Sequence, residues 1–169
     1  YQHFLKSHGV STDTRQLEEG CMFFALKGPN FNANSFAQEA LDQGARFVVI
    51  DDPNFRLNDK CLLVDDVLTA LQQLAVYHRQ QLSIPVLGIT GSNGKTTTKE
   101  LMKAVLNCKY KTFATRGNLN NHIGVPVTIL SIPEGTEMAV IEMGTNKIGD
   151  IAELVSYAQP SHGLITNIG

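Results

Sequence analysis

Gly91-Ser92-Asn93-Gly94-Lys95-Thr96-Thr97 is the stretch whose residue types and spacing could do chemistry. An apolar run, residues 84–90, enters it, and a helical pattern leaves it. Strand, glycine loop, then helix is the context a phosphate-binding loop requires. Gly91 and Gly94 let the backbone turn so that successive N–H groups point inward. A helix starting near Thr96 adds the positive end of its dipole. Lys95 supplies a full charge for outer phosphates, and the Thr96 hydroxyl suits a Mg²⁺ shell. The longer glycine spacing of most phosphate loops fails here, because Ile89 stands where its first Gly belongs. A shorter Gly-x-x-Gly-Lys-Thr remains. The alternative, a Gly-Lys-Thr in an ordinary turn, fits less well with strand and helix on the correct sides.

Three other groups could take part. Glu142 closes an apolar run, residues 138–141, at the strand end where open α/β sheets gather ligands. A carboxylate there can reach Mg²⁺ directly or through water; the plain alternative is a surface or capping Glu. Asn118, Asn120 and Asn121 lie between Gly117 and Gly124 in a stretch with no core pattern. Asn carries both donors and acceptors, so the cluster suits either a ligand-holding loop or an ordinary turn. Asp13-Thr14-Arg15 reads from pattern alone as a solvated hydrogen-bonding turn. His78 falls on a helical stripe and reads as a packed histidine. Asn146-Lys147-Ile148-Gly149-Asp150 misses the guanine-reading Asn-Lys-x-Asp box by one residue, so a GTPase is set aside.

The elements that must position these groups alternate between strand and helix. Residues 22–26, 47–50 and 62–64 read as buried strands, and residues 35–43 as a helix ended by Gly44. Val67, Leu71, Leu74, Ala75, His78 and Leu82 mark a longer helix. Ser83-Ile84-Pro85 is the expected domain joint, since Pro85 cannot continue that helix. Residues 1–83 then form one small α/β domain, and residues 84–169 restart the alternation. Beyond the loop, Leu101, Ala104, Val105 and Cys108 set a face expected to pack on the sheet. A charge at Val105 is therefore expected to destabilise the helix. Residues 110–114 and 164–167 are candidate strands. Ile148, Ile151, Ala152 and Val155 mark a helix ending before Pro160.

The 169 residues are 43% hydrophobic, enough for one or two small domains with a core. A net charge of −2 offers no basic surface for nucleic acid. No apolar run approaches the ~18 residues of a membrane helix, so no membrane insertion is expected. The sequence opens without a signal-peptide pattern and without Met, and is expected to be trimmed there. Cys21, Cys61 and Cys108 are too far apart for a disulfide framework or metal knuckle and read as reduced packing residues of a cytoplasmic protein.

Thr90-Gly91-Ser92-Asn93-Gly94-Lys95-Thr96-Thr97 resembles the phosphate loop of the Mur ligases. The likeness extends to Asp13-Thr14-Arg15, Phe24-Ala25-Leu26-Lys27-Gly28, Gly117-Asn118-Leu119-Asn120-Asn121, Ile123-Gly124-Val125-Pro126, Val140-Ile141-Glu142-Met143-Gly144 and Leu164-Ile165-Thr166-Asn167-Ile168-Gly169. Asn-Leu-Asn-Asn followed by Gly-Val-Pro is similar to the branch that joins D-alanyl-D-alanine to a UDP-N-acetylmuramoyl tripeptide. The chain departs from the family pattern at Asn32-Ala33-Asn34, where Asp-Gly-His is common, and at His122, where Glu or Asp is common. The resemblance implies an α/β architecture: a UDP-binding domain, then the first half of an ATPase-type parallel-sheet domain. It implies ATP and Mg²⁺ as cofactors, and ligation through an acyl phosphate in peptidoglycan synthesis. Residues 91–97 would bind ATP; Lys95 and Glu142 would be catalytic, with Thr96 and Glu142 on the metal. Thr14 and Arg15 would lie in the UDP-sugar pocket, and Asn118, Asn120 and Asn121 would face substrate.

Family members continue with a His-containing loop past Gly169, a modified lysine and a closing domain. The chain is therefore expected to be part of a longer ligase, inactive alone. The competing expectation is a free-standing phosphate-loop module without ligase activity, which its length favours and its motif series does not.

Overall fold

A computed structural model describes residues 1–168. Gly169, where further chemistry is expected to begin, lies outside the described residues. The chain divides into two compact units, 1–71 and 72–169, each described by itself. The division falls inside a helix, some way before the Pro85 joint expected from sequence.

The first unit opens with α1 (Gln2–Leu5) and β1 (Val10–Ser11), then β2 (Met22–Phe24), β3 (Lys27–Gly28) and β4 (Phe31–Asn32). α2 (Ala37–Asp42), β5 (Phe47–Ile50), β6 (Cys61–Leu63) and the start of α3 (Val67–Gln81) follow. A parallel sheet runs in the order β1-β2-β5-β6. Phe23, Val48, Ile50 and Cys61 pack against Ala33, Ala37 and Ala40, small residues that let α2 lie close to the sheet. Gly44, at φ +95°, ends α2 in the left-handed cap its position suggests. Two readings change. The expected strand 22–26 stops at Phe24, and β3 and β4 form an antiparallel hairpin about Pro29-Asn30. Leu63 is exposed, because β6 is the sheet edge and only one side is covered.

The second unit carries the rest of α3, then β7 (Val86–Thr90), α4 (Lys95–Leu106), β8 (Thr112–Ala114) and α5 (Gly124–Leu130). It ends with β9 (Met138–Glu142), α6 (Asp150–Ala158) and β10 (His162–Ile165). All four strands are parallel, in the order β10-β7-β9-β8. The strand order reverses at β7, which makes its C-terminal end the switch point where such sheets bind ligands. Right-handed crossovers put α4 on one face and α5 and α6 together on the other. Val86, Ile89, Ala139, Val140 and Ile141 are wholly buried, as strands covered on both faces require.

Three helical readings are corrected here. α4 buries Lys99 and packs Met102 and Leu106 on the sheet, whereas Leu101 is 63% and Val105 67% exposed. The rejected and the actual stripes differ by one residue, a turn of about 100° on the helix. Residues 124–130, for which the sequence pattern predicts no helix, form the buried helix α5, with Pro126 tolerated in the first turn. In α6 the buried residues are Leu154 and Ala158, while Ile148 lies before the helix and is fully exposed. Arg79, unremarked in the sequence, is buried on α3; its Nε and Nη2 donate to Ala158 O and Gln159 O at the end of α6, and its Nη1 to Leu82 O. Cys21 and Cys61 are buried and free, but Cys108 is exposed rather than packed.

Candidate functional site

The site is built on the ends of β7 and β9. Parallel register sets Ile89 beside Glu142, so the carboxylate emerges next to the turn that follows Thr90. That turn needs its glycines. Gly91 takes φ +135°, and a Cβ there would run into the Thr166 side chain and the Asn167 backbone. Gly94, at φ +78°, is the N-cap of α4. Lys95 is the first helical residue, and its Nζ donates to Gly91 O at 2.6 Å and Ser92 O at 3.2 Å. The ammonium therefore arches back over the loop, where an anion's outer charge would meet it.

Thr96, Glu142 and Asn120 come together. Glu142 is 1% exposed, and its Oε1 accepts from Thr96 Oγ1 at 3.2 Å and from Asn120 Nδ2 at 2.8 Å. Its Oε2 is buried with no hydrogen-bond partner, and so is Thr90 Oγ1. The Lys99 ammonium stands 3.9 Å from Oε2, too far for a hydrogen bond, so this buried oxygen keeps lone pairs that a cation could take. Hydroxyl and carboxylate oxygens from a few residues suit a hard cation such as Mg²⁺, which keeps most of its waters. The described residues hold no group of three or more His, Cys, Asp or Glu that could form an all-protein metal cage. Asn120 is itself fixed, its O accepting from Gly144 N at 2.7 Å. A Cβ on Gly144 would come within 2.9 Å of Asn120 Oδ1, so the glycine leaves room for the amide.

The other asparagines do different work. Asn121 Oδ1 accepts from Ile123 N and Gly124 N and so caps the start of α5. Asn118 is exposed, and its O accepts from Asn120 N. Ser92, Asn93 and Thr97 are exposed on the loop and first turn. Sequence reasoning overlooked Lys99, Thr115 and Asn167. Lys99 Nζ donates to Thr115 O at 2.8 Å, and Glu142 N donates to Thr115 Oγ1. The signal was present: Lys99, Met102 and Leu106 share one helical stripe, so the lysine had to be buried. Asn167 O accepts from Ser92 N, Asn167 Oδ1 accepts from Asn93 N, and Thr166 Oγ1 donates to Asn93 O. The segment after β10 thus holds the loop from one side.

In the first unit, Thr14 and Arg15 line a cavity of about 580 Å³ with Ala33, Glu39 and the rings of Phe31 and Phe36. Those rings stack with centroids 5.7 Å apart. Arg15 grips Asp13, Nη2 to Oδ2 at 2.6 Å and Nε to Oδ1 at 2.9 Å. Those hydrogen bonds hold the Asp13 carboxyl down at about 2. At Asn32-Ala33-Asn34 the roles are structural: buried Asn34 donates to Asn32 Oδ1 and Asp51 Oδ1 and accepts from Asp51 N. Lys27 Nζ meets the same Asp51 Oδ1 at 2.7 Å. On α3, burial pushes half-buried His78 below the usual histidine range, as a packed rather than reactive ring would show. Among the described residues, no helix is long and apolar enough to cross a membrane.

Known proteins resemble this chain in sequence and fold. Residues 6–79 match the model of the Mur ligase family, catalytic domain, and residues 89–169 that of the Mur ligase middle domain. The UDP-N-acetylmuramoyl-tripeptide–D-alanyl-D-alanine ligase of Bacillus subtilis is 51% identical over 164 residues, 96% of this chain and 36% of that protein. A solved D-alanyl-D-alanyl ligase from Acinetobacter baumannii superposes with a TM-score of 0.87 at 37% identity, over 96% of this chain and 36% of that one. The MurF ligase of Thermotoga maritima, solved in complex with ADP, gives 0.85 at 35% identity, over 98% of this chain and 38% of that one. The chain thus spans little more than a third of the length of these relatives. With two consecutive family models covering both units and the phosphate-loop geometry in place, the chain belongs to the Mur ligase family.

Proposed function

We propose that this chain is the nucleotide-sugar and phosphate-loop portion of an ATP-dependent amide ligase of the cytoplasm. The whole enzyme joins D-alanyl-D-alanine to a UDP-N-acetylmuramoyl tripeptide in peptidoglycan synthesis. ATP phosphorylates the terminal carboxylate of the tripeptide. The dipeptide amine then attacks the acyl phosphate, and phosphate leaves. The supporting relatives carry this activity in their names, and one was solved with ADP.

One observation carries the reading: Thr96 Oγ1 and Glu142 Oε1 meet at 3.2 Å while Glu142 Oε2 stays buried without a hydrogen bond. Residues 91–97 bind the ATP phosphates through main-chain amides and the α4 terminus. Lys95 Nζ leaves the loop carbonyls for the outer phosphates and offsets charge on the transferred phosphoryl group. Thr96 and Glu142 hold Mg²⁺, and Asn120 fixes the carboxylate. When bound, the cation neutralises phosphate charge and fixes the geometry of in-line transfer. Asn118 and Asn121 serve the substrate-facing loop, one exposed and one supporting its backbone. Thr14 and Arg15 bind the UDP-sugar in the cavity of the first unit, whose stacked Phe rings suit a flat base.

Calorimetry of this chain with ADP and Mg²⁺ tests the nucleotide reading. Uptake by the wild-type chain and its loss in Lys95→Ala is the expected result. Equal uptake by both refutes the role given to Lys95. UDP titrated into the wild-type chain and into Arg15→Ala tests the cavity in the same way.

A further inference from the structure

Lys99 is the one charged side chain of α4 buried on the sheet side, 1% exposed among the apolar residues of that stripe. Its Nζ donates to Thr115 O at 2.8 Å and pairs with Glu100 Oε1 at 3.0 Å. It stands 3.9 Å from Glu142 Oε2, and Glu142 is equally buried. That distance is too long for a hydrogen bond, so Oε2 keeps its lone pairs free. It is short enough for strong attraction in a site that excludes water. Thr115 completes the triangle, accepting Glu142 N with its hydroxyl and Lys99 Nζ with its carbonyl.

From this arrangement the geometry points to Lys99 as a positioning residue for the Glu142 carboxylate. The inference rests on the reading of Thr96 and Glu142 as the Mg²⁺ pair. A buried carboxylate without a cation would swing toward solvent or take a hydrogen bond at Oε2. Lys99 prevents both. Two of its three N–H groups serve Thr115 and Glu100, and at 3.9 Å it supplies charge to Oε2 without capping it. Glu142 thereby stays aimed at the Thr96 hydroxyl in the absence of metal, and the cation meets a ready-made oxygen pair. Lys95 serves the phosphates; Lys99, one turn along and on the inner face, serves the metal ligand.

The test uses this chain, a fluorescent ADP analogue, and titrations with and without Mg²⁺. For the wild type, Mg²⁺ tightens binding of the analogue. Lys99→Gln keeps a donor for Thr115 but removes the charge. It should weaken the response to Mg²⁺, the concentration giving half the effect rising about 10- to 100-fold, as for other residues that orient metal ligands. Metal-free binding should change less than about twofold, because the loop amides and Lys95 are untouched. Lys99→Arg, which keeps the charge, should restore most of the Mg²⁺ effect. Circular dichroism and thermal unfolding of each variant separate folding loss from lost positioning. Lys99→Gln with a wild-type Mg²⁺ titration overturns the inference and leaves the phosphate-loop reading intact. So does a folded Lys99→Arg that behaves like Lys99→Gln. A wild-type chain that binds the analogue with no Mg²⁺ effect overturns the metal pair and the inference together.

Discussion

The two units use the same parallel α/β grammar to make opposite kinds of site. In the first, the proposed binding groups stand apart from the core: Arg15 has a side chain 86% exposed and is held by its neighbour Asp13. In the second, the central carboxylate lies inside the fold, tied to α4, β8 and the Asn loop by Thr96, Lys99, Thr115 and Asn120. A cavity for a neutral base and sugar can be open, because shape and stacking select its ligand. A cation–phosphate site must hold like-charged oxygens close together, which requires preset geometry. Changes at the proposed binding residues of the first unit should therefore leave its fold intact, whereas changes to the buried carboxylate cluster of the second should cost stability as well as binding.

The sharpest break comes at Lys95. Lys95→Ala should weaken Mg²⁺–ADP about a hundredfold by calorimetry, the scale of losing a charged contact in a closed site. A change of less than threefold would end the contrast between the units. Next is Arg79, which satisfies three carbonyls at two helix ends. Arg79→Ala should destabilise the second unit by about 3 kcal/mol in urea unfolding, since it leaves the buried Ala158 O and two part-buried carbonyls without this donor. Helix α4 offers a contrast within one element. Met102→Asp should cost about 2 kcal/mol by the same measurement, because it buries a charge without a partner. Val105→Lys, on the exposed face, should fall within about 0.5 kcal/mol of wild type.

The smallest effect belongs to the first unit. The Asp13 carboxyl, at about 2 beside Arg15, should return toward its ordinary 3.8 in Arg15→Ala, read by NMR titration. The sign follows from a carboxyl whose folded value is depressed. Whatever the pair adds is complete above the unfolded value near 3.9 and disappears as pH falls toward 2. Because both groups are solvated, thermal unfolding near neutral pH should not move. A clear drop in Arg15→Ala would mean that this turn is woven into the core after all.

Much of this was legible beforehand, for identifiable reasons. The strand–turn–helix at residues 86–106 could be read because its glycines, lysine and threonine are local, and strand and helix flank them directly. The position of Glu142 followed from its place at the end of an apolar run. What escaped depended on rotation or on distant partners. The α4 stripe was read one residue off, since Leu101, Ala104, Val105 and Cys108 also repeat at helical spacing. Helix α5 is apolar nearly all round, so periodicity could not reveal it. The clasp of Asn167 on Asn93 spans 74 residues and leaves no trace in any short window. Asn121 matched the type expected of a ligand-facing residue, yet its side chain caps a helix.

The central place of β7 has a consequence for how the molecule comes into being. Within its sheet β7 is made first, but its neighbours are residues 139–142 and 162–165, far along the chain. Closing loops of that length is slow compared with coiling a helix. On the ribosome, the turn after β7 should therefore stay unsupported until β9 and β10 have emerged. The turn after β7, early in synthesis, would then be among the later parts of this unit to take its final shape.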